Sequence, residues 1–153
     1  MAIVYFGLGS NLGQKENFLR LAILEIEKQI GHIMARSAFF ESAPWGFDSP
    51  HSFINACVAV ETTLNPHECL YATKDIERRL GRAEKTSEGY KDRVIDIDIL
   101  FYEQLLIEEE NLTIPHPLLH QRLFVLNPLA EIAPNLIHPL FHKSIEILLK
   151  EIS

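Results

Sequence analysis

The 153-residue chain predicts an α+β fold, and three observations carry that prediction. Short apolar runs alternate with segments of helical periodicity in the order β-α-β-β-α-β. Glycine, proline and asparagine fall at the junctions, where turns and helix ends need them. A further set of short strands and helices follows the last long strand, all within a length that suits one domain, residues 1–153, around one substantial core.

The elements follow in order. Ala2 to Leu8 is an apolar run bounded by glycines and reads as the first strand. Leu19, Ile23, Ile26 and Ile30 recur at helical spacing, with Gly31 as terminator. Ile33 to Phe40 reads as strand two, and residues 42–52, with Pro44, Gly46, Asp48, Ser49 and Pro50, as a loop. Asn55 to Thr62 is the third strand. Asn65, Pro66 and Glu68 then form an N-cap, a first-turn proline and an acidic first turn. Cys69, Ile76 and Leu80 line one face of the second helix, which Gly81 ends. Residues 82–92 are polar and aperiodic, a long loop. Arg93 to Phe101 is strand four, and short strands follow near Leu105–Ile107 and Leu112–Ile114, flanking Glu108-Glu109-Glu110. Pro117 to Ala133 reads as helical, interrupted at Pro128, and Ser144 to Ile152 as a closing helix with Ile145, Leu148, Leu149 and Ile152 on its apolar face. This is the split βαβ order of ferredoxin-like sandwiches, extended at the C-terminus by extra strands and helices.

Composition narrows the function. A hydrophobic fraction of 47% and a charged fraction of 23% suit a soluble globular protein, and no apolar run is long enough to span a membrane. With no leader pattern, the cytoplasm is the expected location. Cys57 and Cys69 fall in a strand-like and a helix-like run, as buried, reduced thiols do. The net charge of −7 argues against a nucleic-acid partner. Even so, seven of the fourteen Lys and Arg residues lie between Lys74 and Arg93, a segment of charge +2 against −9 elsewhere. A solvated helix and charged loop would account for that; so would a site for a compact polyanion such as a nucleoside triphosphate.

The chemistry concentrates in Arg93-Val94-Ile95-Asp96-Ile97-Asp98-Ile99-Leu100. Strand side chains alternate, so Asp96 and Asp98 share a face, roughly 6.5–7 Å apart. Asp is depleted in strands, and like charges on one face repel, so a cation is the natural companion of this pair. Hard oxygen donors so placed suit one or two Mg²⁺ ions, although a solvated edge strand would also tolerate them. Gly7-Leu8-Gly9-Ser10-Asn11-Leu12-Gly13 imitates a dinucleotide fingerprint, with Glu41 as the ribose acid, but the third glycine comes one position late and strand two runs into another strand. His116 and His120, and His138 and His142, have zinc spacing, but adjacent prolines oppose a continuous helix through either pair. On residues alone, a two-metal phosphoester hydrolase and a non-catalytic nucleotide-binding module both remain open.

Seven separated segments together are more specific. Gly9-Ser10-Asn11-Leu12, Ser42-Ala43-Pro44-Trp45-Gly46, Phe53-Ile54-Asn55-Ala56, Gly81-Arg82, the Arg93–Leu100 run, Ile114-Pro115-His116-Pro117 and Arg122-Leu123-Phe124-Val125-Leu126 occur in this order from about residue 3 to Pro134. In order and spacing they resemble the 6-hydroxymethyl-7,8-dihydropterin pyrophosphokinase family. The resemblance implies a ferredoxin-like α+β sandwich. It also implies transfer of a pyrophosphoryl group from ATP to the pterin hydroxymethyl, releasing AMP, in folate biosynthesis. By position, Asp96 and Asp98 would hold two Mg²⁺ ions on the ATP phosphates. Arg82 and Arg93 would join them in catalysis. Lys74, Glu77, Arg82, Arg93, Ile99, Thr113, His116 and Arg122 would contact ATP. Phe53 and Phe124 would sandwich the pterin, with Asn55 on its polar edge and backbone groups of Ser42, Ala43 and Trp45 assisting. Loop 82–92 would close over the site and exclude water. The implied partners are these two small molecules, with no nucleic acid and no membrane, and the chain is expected to act as a monomer. Two departures from the family pattern fall in that loop. Glu84, followed by Lys85, stands where a second basic residue is usual, and Gly89-Tyr90-Lys91-Asp92-Arg93 replaces the usual Gly-Pro-Arg ending with one residue more.

Overall fold

The computed structural model describes residues 1–81 and 94–153. The expected closing loop, its two departures, Arg82 and Arg93 lie outside the described residues.

Strand β1 (Ala2–Ser10) is the spine of the fold. It pairs antiparallel with β4 (Phe53–Thr62) on one side and with β5 (Asp96–Tyr102) on the other. Strand β2 (Gly31–Arg36) continues the sheet beyond β4, giving the order β2-β4-β1-β5, and the short β3 (Phe40–Ser42) pairs with the start of β4. All pairings are antiparallel, as two βαβ crossovers joined by a hairpin connection require. A separate two-stranded ladder joins β6 (Ile107–Glu108) to β7 (Thr113–Ile114).

Helices cover both faces. On one, α1 (Lys15–Gln29) and α2 (Pro66–Arg79) set Leu19, Ile23, Ile26, Cys69 and Ile76 against Val4, Phe6, Val58, Val60 and Ile97. On the other, α3 (Leu123–Ile132) and α4 (Ile145–Ile152) set Val125, Leu126, Leu129, Ile145 and Leu148 against Cys57, Leu100 and Phe101. Leu100 and Phe101 are consecutive yet belong to the same core. The register between β1 and β5 shifts between Tyr5 and Phe6, and this bulge turns two neighbours to one face.

The sequence signals at the helix ends behave as their chemistry predicts, with one exception. Asn65 Oδ1 accepts from Glu68 N at 2.9 Å while Glu68 Oε1 accepts from Asn65 N at 2.9 Å, a full capping box with Pro66 at the first position. Gly81, at φ +101°, closes α2. Gly31 has a different task from the one expected of it. It is the first residue of β2, where an added Cβ would lie 2.1 Å from Glu61 O, so glycine serves close strand approach there.

Three expected elements are redrawn. The second strand does not run unbroken from Ile33 to Phe40: Ser37 Oγ accepts from Cys57 N at 2.9 Å, and Ala38 N turns away to Glu131 Oε1. Ser37 N still donates to Cys57 O at 2.9 Å, so one backbone bond to β4 persists between β2 and β3 while side chains accept from the neighbouring donors. The segment from Pro117 to Ala133 breaks at Arg122, whose extended backbone (φ −118°, ψ 104°) separates a 3-10 turn (Leu119–Gln121) from α3, and not at Pro128. Pro128 lies within α3, buried beside Leu126 and Leu129, and that packing offsets the hydrogen bond it cannot donate. The fourth strand starts at Asp96, short of the expected Arg93.

Candidate active site

The strand register assembles the site row by row. Gly9 of β1 faces Asp96 of β5 on one side and Asn55 of β4 on the other. Directly paired residues share a face, so Asp96 and Asn55 stand on one surface, two strand spacings (about 10 Å) apart. In the next row Gly7 faces Asp98 and Cys57. Both carboxylates are therefore paired with glycines, which place no side chain over them. At Gly9 an added Cβ would fall 3.2 Å from Asn55 Oδ1 and 3.6 Å from Phe53 Cδ1, so this glycine also makes room for its neighbours. Gly7 and Gly9 lie inside β1 and not in a turn, which disposes of the dinucleotide-loop reading.

On the outer side of β5 opens a cleft of about 270 Å³. Lys74 and Glu77 of α2, Asp98 and Ile99 of β5, Thr113 of β7 and His116 line it. Those are five of the eight residues expected around a nucleotide, together with one of the expected metal ligands. Leu70 and Thr73 line it too, and with Lys74 and Glu77 they occupy one helical stripe, a spacing legible in the sequence but not used. Ile97, Glu110, Asn111, Leu112 and Pro117 complete the wall. Glu77 is 7% exposed and accepts from Ile97 N at 2.7 Å. Strand β5 is the edge of the sheet, and this carboxylate satisfies a backbone donor that has no further strand beside it. His116 Nδ1 accepts from Leu118 N at 3.2 Å, so in the neutral ring the proton sits on Nε2.

On the other side of Asp96 lies an aromatic and amide wall. Asn55 is 3% exposed, and its Nδ2 donates to Phe40 O at 3.2 Å and to Ser42 Oγ at 2.8 Å. The amide is thereby oriented with Oδ1 toward Gly9. Phe53 stands two residues before Asn55 on the same face and meets Phe47 edge-on at 6.2 Å. At the start of α3, Phe124 meets Trp45 edge-on at 6.5 Å. The Arg122 guanidinium lies 4.5 Å from the Trp45 ring centre and 5.4 Å from that of Phe124, and the residue is only 5% exposed. The loop carrying Ala43 and Trp45 is tied down by Asn11 Nδ2, which donates to His51 O at 3.2 Å, and by Lys15 Nζ, which donates to Ser52 O at 3.0 Å. Nothing local in the sequence marks these two tethers, which join residues 40 and 37 positions apart.

The remaining candidates resolve into structural roles. Cys57 and Cys69 are free and buried; burial pushes the Cys57 thiol up, and burial with the nearby Glu68 pushes Cys69 up to about 12. His138 Nδ1 accepts from Leu140 N and Phe141 N, and its ring stacks on Phe141 at 4.3 Å. His120 packs edge-on against the same Phe141 at 4.7 Å, away from the cleft that holds His116. Among the described residues no three His, Cys, Asp or Glu side chains gather as a metal centre. The carboxylates of Asp96 and Asp98 are hard oxygen donors, of the kind that suits Mg²⁺ better than Zn²⁺.

Comparison with known proteins identifies the family. A family model described as 7,8-dihydro-6-hydroxymethylpterin-pyrophosphokinase matches residues 5–134. A 2-amino-4-hydroxy-6-hydroxymethyldihydropteridine pyrophosphokinase of Porphyromonas gingivalis is 46% identical over 141 residues, covering 91% of this chain and 95% of the relative. The protein of the same name from Aquifex aeolicus is 40% identical over 146 residues, covering 95% and 89% respectively. Among solved structures, wild-type Plasmodium falciparum HPPK-DHPS superposes with a TM-score of 0.79 over 98% of this chain at 18% identity, which speaks to the fold. This chain spans 44% of the length of that longer one. Over most of its length, therefore, the chain belongs to the 7,8-dihydro-6-hydroxymethylpterin-pyrophosphokinase family.

Proposed function

We infer that the protein transfers the pyrophosphoryl group of ATP to the hydroxymethyl oxygen of 6-hydroxymethyl-7,8-dihydropterin, releasing AMP, in folate biosynthesis. The observation that carries this reading is the run of two carboxylates on β5: Asp96 shares a row with Asn55 of the aromatic, amide-lined wall across Gly9, and Asp98, two residues on and on the same face, lines the charged cleft. A reaction between a flat heterocycle and a triphosphate needs those two surfaces side by side.

In this reading the pterin lies between Phe53 and Phe124, as flat aromatic rings favour. Asn55 Nδ2 is already committed to Phe40 O and Ser42 Oγ, so Oδ1 is the atom that meets the donor edge of the pterin. Backbone groups of Ser42, Ala43 and Trp45 assist. The triphosphate runs along the cleft, with Lys74, Arg122 and the Nε2–H of His116 as cationic and hydrogen-bonding contacts. Ile99 and Thr113 flank the nucleotide. Glu77 holds the edge strand that forms its floor. Arg82 and Arg93 are assigned to the same phosphates on sequence grounds. Asp96 and Asp98 would hold two Mg²⁺ ions, which would neutralise charge on the ATP phosphates. The chain's own part is positioning: it aligns the pterin hydroxyl with the β-phosphorus and keeps water from that line of attack.

The test is product analysis. With Mg²⁺ and the hydroxymethyl pterin present, ATP should yield AMP and the pterin diphosphate, and omission of either should stop the reaction. Release of ADP, or AMP formation without pterin, would overturn the assignment.

A further inference from the structure

We propose that the Trp45 side chain is a positioning residue that aims the Arg122 guanidinium from the pterin wall toward the nucleotide phosphates. The placement carries the inference. Arg122 is the extended residue that caps α3, two residues before Phe124, and is 5% exposed. Its guanidinium lies 4.5 Å from the Trp45 ring centre and 5.4 Å from that of Phe124, while the two rings meet edge-on at 6.5 Å. A guanidinium held over an aromatic face is attracted by the ring and donates hydrogen bonds through its edge, so the indole restrains where the Arg122 fork can turn. Lysine-like point charges gain no such direction. Trp45 reaches this spot from a loop tethered at His51 and Ser52 by Asn11 and Lys15, so the ring is held by the scaffold and not by the arginine alone.

This rests on the pyrophosphokinase reading for the identity of the anion, but the device itself is read from the stack. Trp45 is the sole tryptophan of the chain, so its emission reports the contact directly. Calorimetric titration of the intact protein with a non-hydrolysable ATP analogue and Mg²⁺ provides the binding readout. Trp45→Leu should weaken analogue binding about tenfold, the size of a desolvated cation–π contact. Trp45→Phe, which keeps a ring face, should recover most of that loss. In an Arg122→Gln background the Trp45→Leu effect should shrink to less than about twofold, because the two changes act through one contact. Arg122→Gln alone should shift Trp45 emission in the absence of ligand. Equal weakening by Trp45→Leu in both backgrounds, or unchanged emission in Arg122→Gln, would overturn the proposal. A protein that makes no pterin-dependent AMP yet shows the non-additive binding would sink the pyrophosphokinase reading and keep this one.

Discussion

Asp96 and Asp98 are set apart from ordinary strand residues by what stands beside them. Their partners across β1 are Gly9 and Gly7, so the carboxylates face a surface that this strand leaves uncovered. Alternation puts both on the face that also carries Asn55, and the glycine at position 9 allows Asn55 Oδ1 to stand where a Cβ would crowd it at 3.2 Å. If the pair holds the metal ions, Asp96→Ala and Asp98→Ala should each lower turnover by several powers of ten, since metal-held charge contributes several kcal/mol to phosphoryl transfer. Steady-state release of AMP measures this. Near-normal rates in either variant would remove the metal assignment.

At the level of elements, the edge strand and the C-terminal turn each depend on one titratable side chain used as an acceptor. Glu77 of α2 accepts from Ile97 N, and Ile97 is itself 5% exposed. Glu77→Ala should cost roughly 1–3 kcal/mol, the penalty for a buried donor left without an acceptor, while Glu77→Gln should lose much less. Urea denaturation separates the two, and equal losses would mean that charge, not the hydrogen bond, is what counts. His138 is the second case. Burial, with His120 and His142 nearby, lowers its pKa from 6.5 to about 4. The folded state therefore favours the neutral ring, whose Nδ1 accepts from Leu140 N and Phe141 N. As pH falls from 6.5 toward 4, the unfolded chain takes up the proton first, so stability should decline across that window and level off below it. His138→Asn offers an oxygen acceptor that does not titrate. Its stability should fall less between pH 7 and pH 4.5, and an identical slope in both proteins would move the origin of the pH dependence elsewhere.

Across the molecule, the three-layer arrangement sets the charged cleft and the aromatic wall on the two sides of β5, the strand that carries Asp96 and Asp98. The charged cleft is built from α2, β5 and β7, whereas the aromatic wall comes from the β3–β4 loop, β4 and the start of α3. Neither set of elements is complete without β1 and β5 between them. Ligands that meet over a shared row should sense each other. A non-hydrolysable ATP analogue with Mg²⁺ should tighten pterin binding by about tenfold, a typical coupling of 1–3 kcal/mol, and the pterin should tighten analogue binding by the same factor. Calorimetric titrations in both orders measure this. Identical affinities with and without the second ligand would show two independent sites.

The sequence by itself determined the features that depend on near neighbours. Strand and helix order, the Asn65–Glu68 capping box and the shared face of Asp96 and Asp98 all follow from period, cap chemistry and alternation. The motif segments pointed to the family because they combine residue type with spacing. What the tertiary structure decided was everything set by distant partners. The second strand is interrupted where Cys57 N turns to the Ser37 hydroxyl and Ala38 N to Glu131, and Gly31 is needed because Glu61 O passes so close. Pro128 stays helical because the core around Leu126 and Leu129 stabilises α3 more than the missing hydrogen bond weakens it. The stack of Arg122 on Trp45 joins residues far apart in the chain, and local pattern carries no record of such a contact. Periodicity encodes which face a side chain takes, but only folding brings the faces together and determines what each one meets.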